Sequence, residues 1–193
     1  MGRTRQFDHD TVLAAAANLF RQRGFKSVAI ADLEAATGLA SGSIYNTFGD
    51  KLGLFKAALQ YYVSTFVGDR LKSFAGEQAG LKDLEQLFLS VLAPPMSDGY
   101  GCLVNNSIIE FGGSSDMAAE EIAATLAMVR VGIDDVLRRQ LGPAYRASDT
   151  TRLLVLYHGV LTLSRSQMPV DEMAAMVRSE FTRLSGLRDR PAA

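Results

Sequence analysis

The feature that most constrains this chain is a twenty-residue stretch, residues 29–48, in which two short amphipathic helices are separated by a glycine-centred turn. Ile30, Leu33 and Ala36 lie at helical spacing, Thr37-Gly38-Leu39 interrupts them, and a second segment of about two turns runs from Ser41 to Phe48. A helix that short does not stand alone and needs a surface to pack on. Ile30, Leu33, Leu39, Ile44 and Phe48 supply a small shared core, and Ala35 and Ala36 let the two helices approach closely. That is the helix-turn-helix arrangement, although a helical corner in any all-α protein has the same outline.

The rest of the chain repeats the helical period and gives almost no strand signal. Val12, Ala15, Ala16, Leu19 and Phe20 fit one helical face, with Gly24 as its stop. Ser27 can cap the second helix, Ser41 the third and Asp50 a long fourth. The fourth carries Leu52, Phe55, Leu59, Tyr62 and Phe66 at spacings of three and four, a continuous apolar stripe. Leu81, Leu84, Phe88 and Val91 form a fifth helix, broken by Pro94-Pro95. A short sixth covers Cys102–Phe111 and ends at Gly112-Gly113-Ser114-Ser115. Ile122 to Val136 mark a seventh, and the eighth and ninth run from about Ser148 to Ser166 and from Asp171 to Ser185. The expected fold is all-α, with nine helices in two domains: a head over residues 1–49 and a helical body over residues 50–193.

Several function classes drop out. The longest apolar runs, such as Val12–Ala17 and Leu153–Tyr157, are far short of the ~20 residues of a spanning helix. The start, Met1-Gly2-Arg3-Thr4-Arg5-Gln6, leads into no secretory apolar region, so the expected compartment is the cytoplasm. One cysteine and two histidines, His9 and His158, are too few for a Cys- or His-rich metal site, and neither metal nor cofactor is expected. There is no Gly-rich phosphate loop, His-Glu-x-x-His motif or Gly-x-Ser-x-Gly elbow, so the chain is not read as an enzyme. Net charge is −1, but residues 1–60 hold seven Lys and Arg against five Asp and Glu. A slightly basic head on a mildly acidic body is compatible with nucleic acid.

The third helix exposes Ser41, Ser43, Tyr45, Asn46 and Thr47, short polar groups able to meet phosphates and base edges. Lys51 follows at once, where it could sit over a phosphate. Together with Ala16…Leu19-Phe20…Gly24-Phe25 and Ile30-Ala31-Asp32-Leu33…Thr37-Gly38-Leu39, the segment Ser43-Ile44-Tyr45-Asn46-Thr47-Phe48-Gly49-Asp50-Lys51…Leu54-Phe55 resembles the TetR family of bacterial transcriptional regulators. The likeness covers Phe7 to about Tyr62, roughly a third of the chain.

The resemblance implies a three-helix DNA-binding head and a body that dimerises and binds a small-molecule effector. It places Ser41, Ser43, Tyr45, Asn46 and Thr47 on a recognition helix, and Ser27 and Lys51 on phosphate. Many relatives carry His or Arg near Asn46; asparagine here points to adenine or to phosphate alone. Arg3 and Arg5 are either a minor-groove arm or a solvated tail. The implied function is that of a dimeric, ligand-responsive repressor on a palindromic operator, with a DNA-free helical sensor of the same fold as the alternative.

Two features of the body bear on this. Between Leu153 and Leu163 only His158, Gly159 and Thr162 interrupt the apolar residues, so this helix needs contacts on both sides, as at a dimer face. Helix nine adds Met173, Met176, Val177, Phe181 and Leu184. For a ligand pocket the candidates are Tyr62, Phe66, Phe88, Met128 and Tyr157 as apolar walls, with Cys102, Asn106 and Glu110 as polar groups. Each is also plausible as plain core, and Cys102 as a redox sensor or an inert buried thiol.

Overall fold

The computed structural model describes residues 8–112 and 118–189. The Arg3/Arg5 arm, Phe7 and the Gly113-Ser114-Ser115 stop lie outside the described residues.

Every long element among the described residues is helical. α1 is His9–Arg23, capped by Asp8, whose carboxylate accepts from the Asp10 amide, and closed by Gly24 at φ 77°. α2 is Ile30–Thr37 and α3 is Ser41–Phe48, with Gly38 (φ 72°) in the left-handed turn between them. Neither is capped by the serine that the sequence suggested. Asp32 reaches back to the Ala29 amide at 2.8 Å, so Ser27 is an exposed loop residue ahead of the helix. The Ser41 amide is taken by the Glu34 side chain of α2, so a long acid one helix back takes the part expected of the Ser41 hydroxyl. Asp50 does cap the fourth helix, accepting from the Gly53 amide at 2.7 Å.

That fourth helix, α4, spans residues 51–75 with a break in its register: Lys51–Tyr62 is α-helical, Val63–Val67 is a π-helical turn, and Gly68–Ala75 is α-helical again. The Ser64 and Thr65 hydroxyls both donate to the Tyr61 carbonyl, at 3.0 and 2.7 Å. Hydroxyls that compete for a helix carbonyl in this way loosen the regular ladder. α5 is Leu81–Leu89, α6 Leu103–Phe111, α7 Ala119–Leu141, α8 Ala147–Leu163 and α9 Val170–Arg188. With α4 taken as one helix, the described residues hold the nine expected. No single helix among the described residues is long and apolar enough to cross a membrane.

The head and body share their packing. Leu33 and Ile44 are fully buried within the head. Phe20 of α1, Phe25 of the following loop, Phe55 of α4 and Phe111 of α6 then form one ring cluster, edge-on except for the stacked Phe20–Phe25 pair, with Phe20–Phe55 centroids 5.1 Å apart and Phe55–Phe111 5.5 Å apart. Such ring pairs add about 0.5–1.5 kcal/mol each beyond their buried area. α6 thus reaches out of the body and packs on the head. In the body, Phe88, Tyr157 and Phe181 make a second ring cluster, and Ile133, Leu137, Leu153 and Val177 are wholly buried around it.

Candidate nucleic-acid interface

α3 owes its orientation to Ile44, which is fully buried and pins the helix against the head. The opposite face is presented outward: Tyr45 is 49% exposed. Asn46 and Thr47 are exposed beside it, and Ser41 and Ser43 are half-buried. The structure therefore brings these five candidates onto one short helix whose free surface is phenol, amide and hydroxyl.

Lys51 is placed differently from the sequence expectation. Its ammonium donates to the carbonyls of Phe25 (3.0 Å) and Val28 (2.8 Å) and lies 4.4 Å from the Phe25 ring centroid. Those carbonyls belong to the loop between α1 and α2, so Lys51 fastens that loop instead of standing free for phosphate. Arg23 is paired with Asp32 at 2.9 Å. The exposed Lys26 reaches the Glu110 carbonyl at 3.3 Å.

The eight pocket candidates separate into five places. Tyr62 and Phe66, stacked with centroids 5.1 Å apart, line a cavity of about 290 Å³ between α1, the π-turn of α4 and the loop before α6. Met128 lies in a second cavity of about 510 Å³ on the other side of that turn, with Gln60, Val63 and Thr125. Phe88 and Tyr157 are core rings in contact with each other, and burial raises the Tyr157 phenol above its ordinary range. Cys102 is buried at the start of α6.

Asn106 and Glu110 enter neither cavity. The Asn106 amide donates to the carbonyls of Arg21 (3.0 Å) and Tyr100 (2.9 Å) and accepts from Arg165 at 2.8 Å. The Glu110 carboxylate accepts the amides of Phe25 and Lys26 at 2.8 and 2.7 Å. Both residues clasp the end of α1 to α6, so their polar groups are engaged within the chain. A Cβ on Gly24 would come within 2.9 Å of that carboxylate, so glycine is needed there for space as well as for its positive φ.

Two further polar groups tie distant parts of the chain together. Arg21 forms a two-armed ion pair with Asp98 and also donates to the Gly101 carbonyl at 3.0 Å. Asn105 donates to Thr162 at 2.9 Å, which turns its carbonyl toward His158 Nδ1 at 3.2 Å. Burial lowers the pKa of the His158 ring. No group of three His, Cys, Asp or Glu among the described residues could hold a metal.

Fold and site together define a helix-turn-helix protein with a helical body. The family model "Bacterial regulatory proteins, tetR family" matches residues 12–58. A transcriptional repressor, ComR of Escherichia coli (strain K12), is 30% identical over 121 residues, which is 61% of this chain and 58% of that protein. The transcriptional regulator YezE of Bacillus subtilis (strain 168) is 31% identical over 113 residues, 57% of this chain and 58% of that one. The chain thus aligns with under two thirds of the length of these curated relatives. A TetR regulator from Chloroflexus aurantiacus J-10-FL superposes with a TM-score of 0.72 at 27% identity, covering 91% of this chain and 90% of that chain. CifR, solved as a cysteine mutant with 26bp double-strand operator DNA, superposes with a TM-score of 0.81 at 24% identity over 94% of this chain and 98% of that chain, which speaks for the fold. Residues 12–58 thus match the TetR family's model, and the chain shares the fold of solved TetR regulators.

Proposed function

We propose that this chain is a cytoplasmic, homodimeric transcriptional repressor, that the head over residues 1–49 reads double-stranded operator DNA, and that a small-molecule effector bound to the body, residues 50–193, releases it. It acts by binding, not by catalysis. The observation that carries this reading is α3: buried Ile44 beneath, and Tyr45, Asn46 and Thr47 presented together above. Hydroxyls and amides at that spacing suit base edges and phosphates in a major groove, which an α-helix fits. The family and the operator complex of CifR support it.

Dimerisation is supported by the outer face of α8 and α9, where Val155 is 69% and Met176 60% exposed. Two heads related by a two-fold axis would meet half-sites ~34–36 Å apart. The test is selection of bound DNA from a random pool, followed by gel shifts across salt. Affinity should fall steeply with salt for the selected sequence. Asn46→Ala should lose about 1–3 kcal/mol at one base pair if Asn46 reads adenine, and Tyr45→Ala should weaken binding in a still-folded protein. A chain with no selectable sequence, or with none of these effects, would be a helical sensor and not a repressor.

A further inference from the structure

We propose that the cavity between α1, the π-turn of α4 and the loop before α6 binds a small planar carboxylate, which takes Arg21 over from Asp98. The inference deepens the effector reading above by giving the effector a place and a chemistry.

The walls are apolar and partly flat: Ala17 of α1, Tyr61, Tyr62 and Phe66 of α4, and Met96 of the loop. A volume of about 290 Å³ suits one or two fused rings. The charged groups at this site are Arg21 and Asp98. The Tyr62 ring is a wall, but its hydroxyl is fully buried beside Cys102 and does not open onto the cavity. Burial first, and the neighbouring Cys102 second, hold its phenol well above the ordinary range, so it stays protonated. Arg21 brings a guanidinium whose side chain is 12% exposed. Thr65 has already given its proton to Tyr61. The acid at the rim, Asp98, is committed to Arg21. A ligand that takes Arg21 must therefore bring a carboxylate of its own.

The ion pair is also lopsided. Asp98 is 33% exposed, so water can solvate it once released, whereas Arg21 cannot be left unpaired at its depth. Removing one partner from a buried pair leaves the other uncompensated. Exchanging one carboxylate for another avoids that cost, and ring contacts then favour the newcomer. A cationic ligand would have to strip Asp98 from Arg21 and gains no such exchange. The released loop runs straight into α6, whose Asn106 and Glu110 hold the end of α1. Occupation of this cavity is thereby felt by the head.

The test is calorimetric titration of the full-length chain, without DNA, with benzoate and 2-naphthoate against their neutral amides. The carboxylates should bind at least about tenfold tighter than the amides, since a hydrogen bond to a charged group is worth ~1.5–3 kcal/mol. Asp98→Asn should tighten the carboxylates, because the competitor for Arg21 is weaker. Ala14→Phe, at an exposed position on the cavity rim, should block binding at an unchanged melting temperature. Equal binding of acids and amides, weaker binding by Asp98→Asn, or no binding of either acid at millimolar concentration would overturn the proposal. Because the titration contains no DNA, a protein that binds benzoate but no operator would overturn the repressor reading alone.

Discussion

Lys51 and Glu110 carry opposite charges, yet both close off backbone groups at the end of α1. Lys51 donates to two carbonyls, and Glu110 accepts from two amides within the same short loop. Lys51→Met keeps the stem over Phe25 but strands two carbonyls, a loss of about 1–2 kcal/mol. The melting temperature should fall, and DNA affinity should fall with it through a displaced loop, while the salt dependence stays as in the wild type. A salt slope reduced by ~1 would instead mark a phosphate contact. Glu110→Leu should cost about 1–3 kcal/mol for the same reason, with Glu110→Gln recovering part of it. A stable Glu110→Leu protein in a thermal melt would show that the clasp is not holding the head. Neither role was legible in the sequence. The partners are main-chain groups 23 to 85 positions away, and a main-chain amide or carbonyl leaves no mark in a sequence motif. The α3 surface was legible, because its spacing alone puts Ile44 inward and Tyr45, Asn46 and Thr47 outward.

Among the elements, the glycine stops and the helices they end follow directly from local chemistry: Gly24, Gly38 and Gly49 all sit at positive φ where a helix must end. The π-turn in α4 was not foreseen, since the stripe Leu52 to Phe66 fits an unbroken helix equally well. Its cause lies in Ser64 and Thr65, whose hydroxyls crowd one carbonyl. The break matters because π-turns are frequent at functional sites, and here a cavity lies on each side of it. Further along, α7 and α8 are joined by Asp134, which accepts from Thr150 at 2.6 Å and from Tyr145, and pairs with Arg138 at 2.5 Å. Burial opposes ionisation of this carboxyl, but the Thr150 and Tyr145 bonds and Arg138 outweigh it and lower its pKa to about 2. The unfolded value is ~3.9, so the native state holds the proton less tightly. Its stabilisation is present above about pH 4 and drains away as pH falls from about 4 to 2. With the side chain partly exposed, the amount is of order 1 kcal/mol. Asp134→Asn should melt lower at pH 7 and lose less than the wild type on acidification between those values. Parallel acid-melting curves for the two proteins would rule out this source of pH dependence.

At the scale of the molecule, the body has more apolar surface than one chain can cover, and the faces concerned are specific. The sequence offers the apolar run Leu153–Leu163 of α8, and Met173, Met176, Val177, Phe181 and Leu184 of α9, as the dimer face. Val160, Val177 and Phe181 are 4%, 0% and 3% exposed, so they are core. An all-apolar helix gives no phase from which to tell its inner face from its outer one. The free face is one position round on each helix: Val155 at 69% and Leu163 at 42% on α8, and Met176 at 60% on α9, with Gly159 leaving open space among them. A gap beside a glycine is where a partner helix can approach closely. Val155→Glu and Met176→Glu should therefore split a dimer without touching the core, whereas Val177→Glu should unfold the protomer. Sedimentation should show two protomers for the wild type at micromolar concentration and one for each surface variant, with melting of the separated protomer still cooperative. DNA affinity should collapse together with the dimer, because the second half-site is bound at the high effective concentration that only a linked head provides. A wild-type chain that sediments as a monomer, or a monomeric Val155→Glu protein that holds the operator as tightly as before, would break the link between this face and DNA binding.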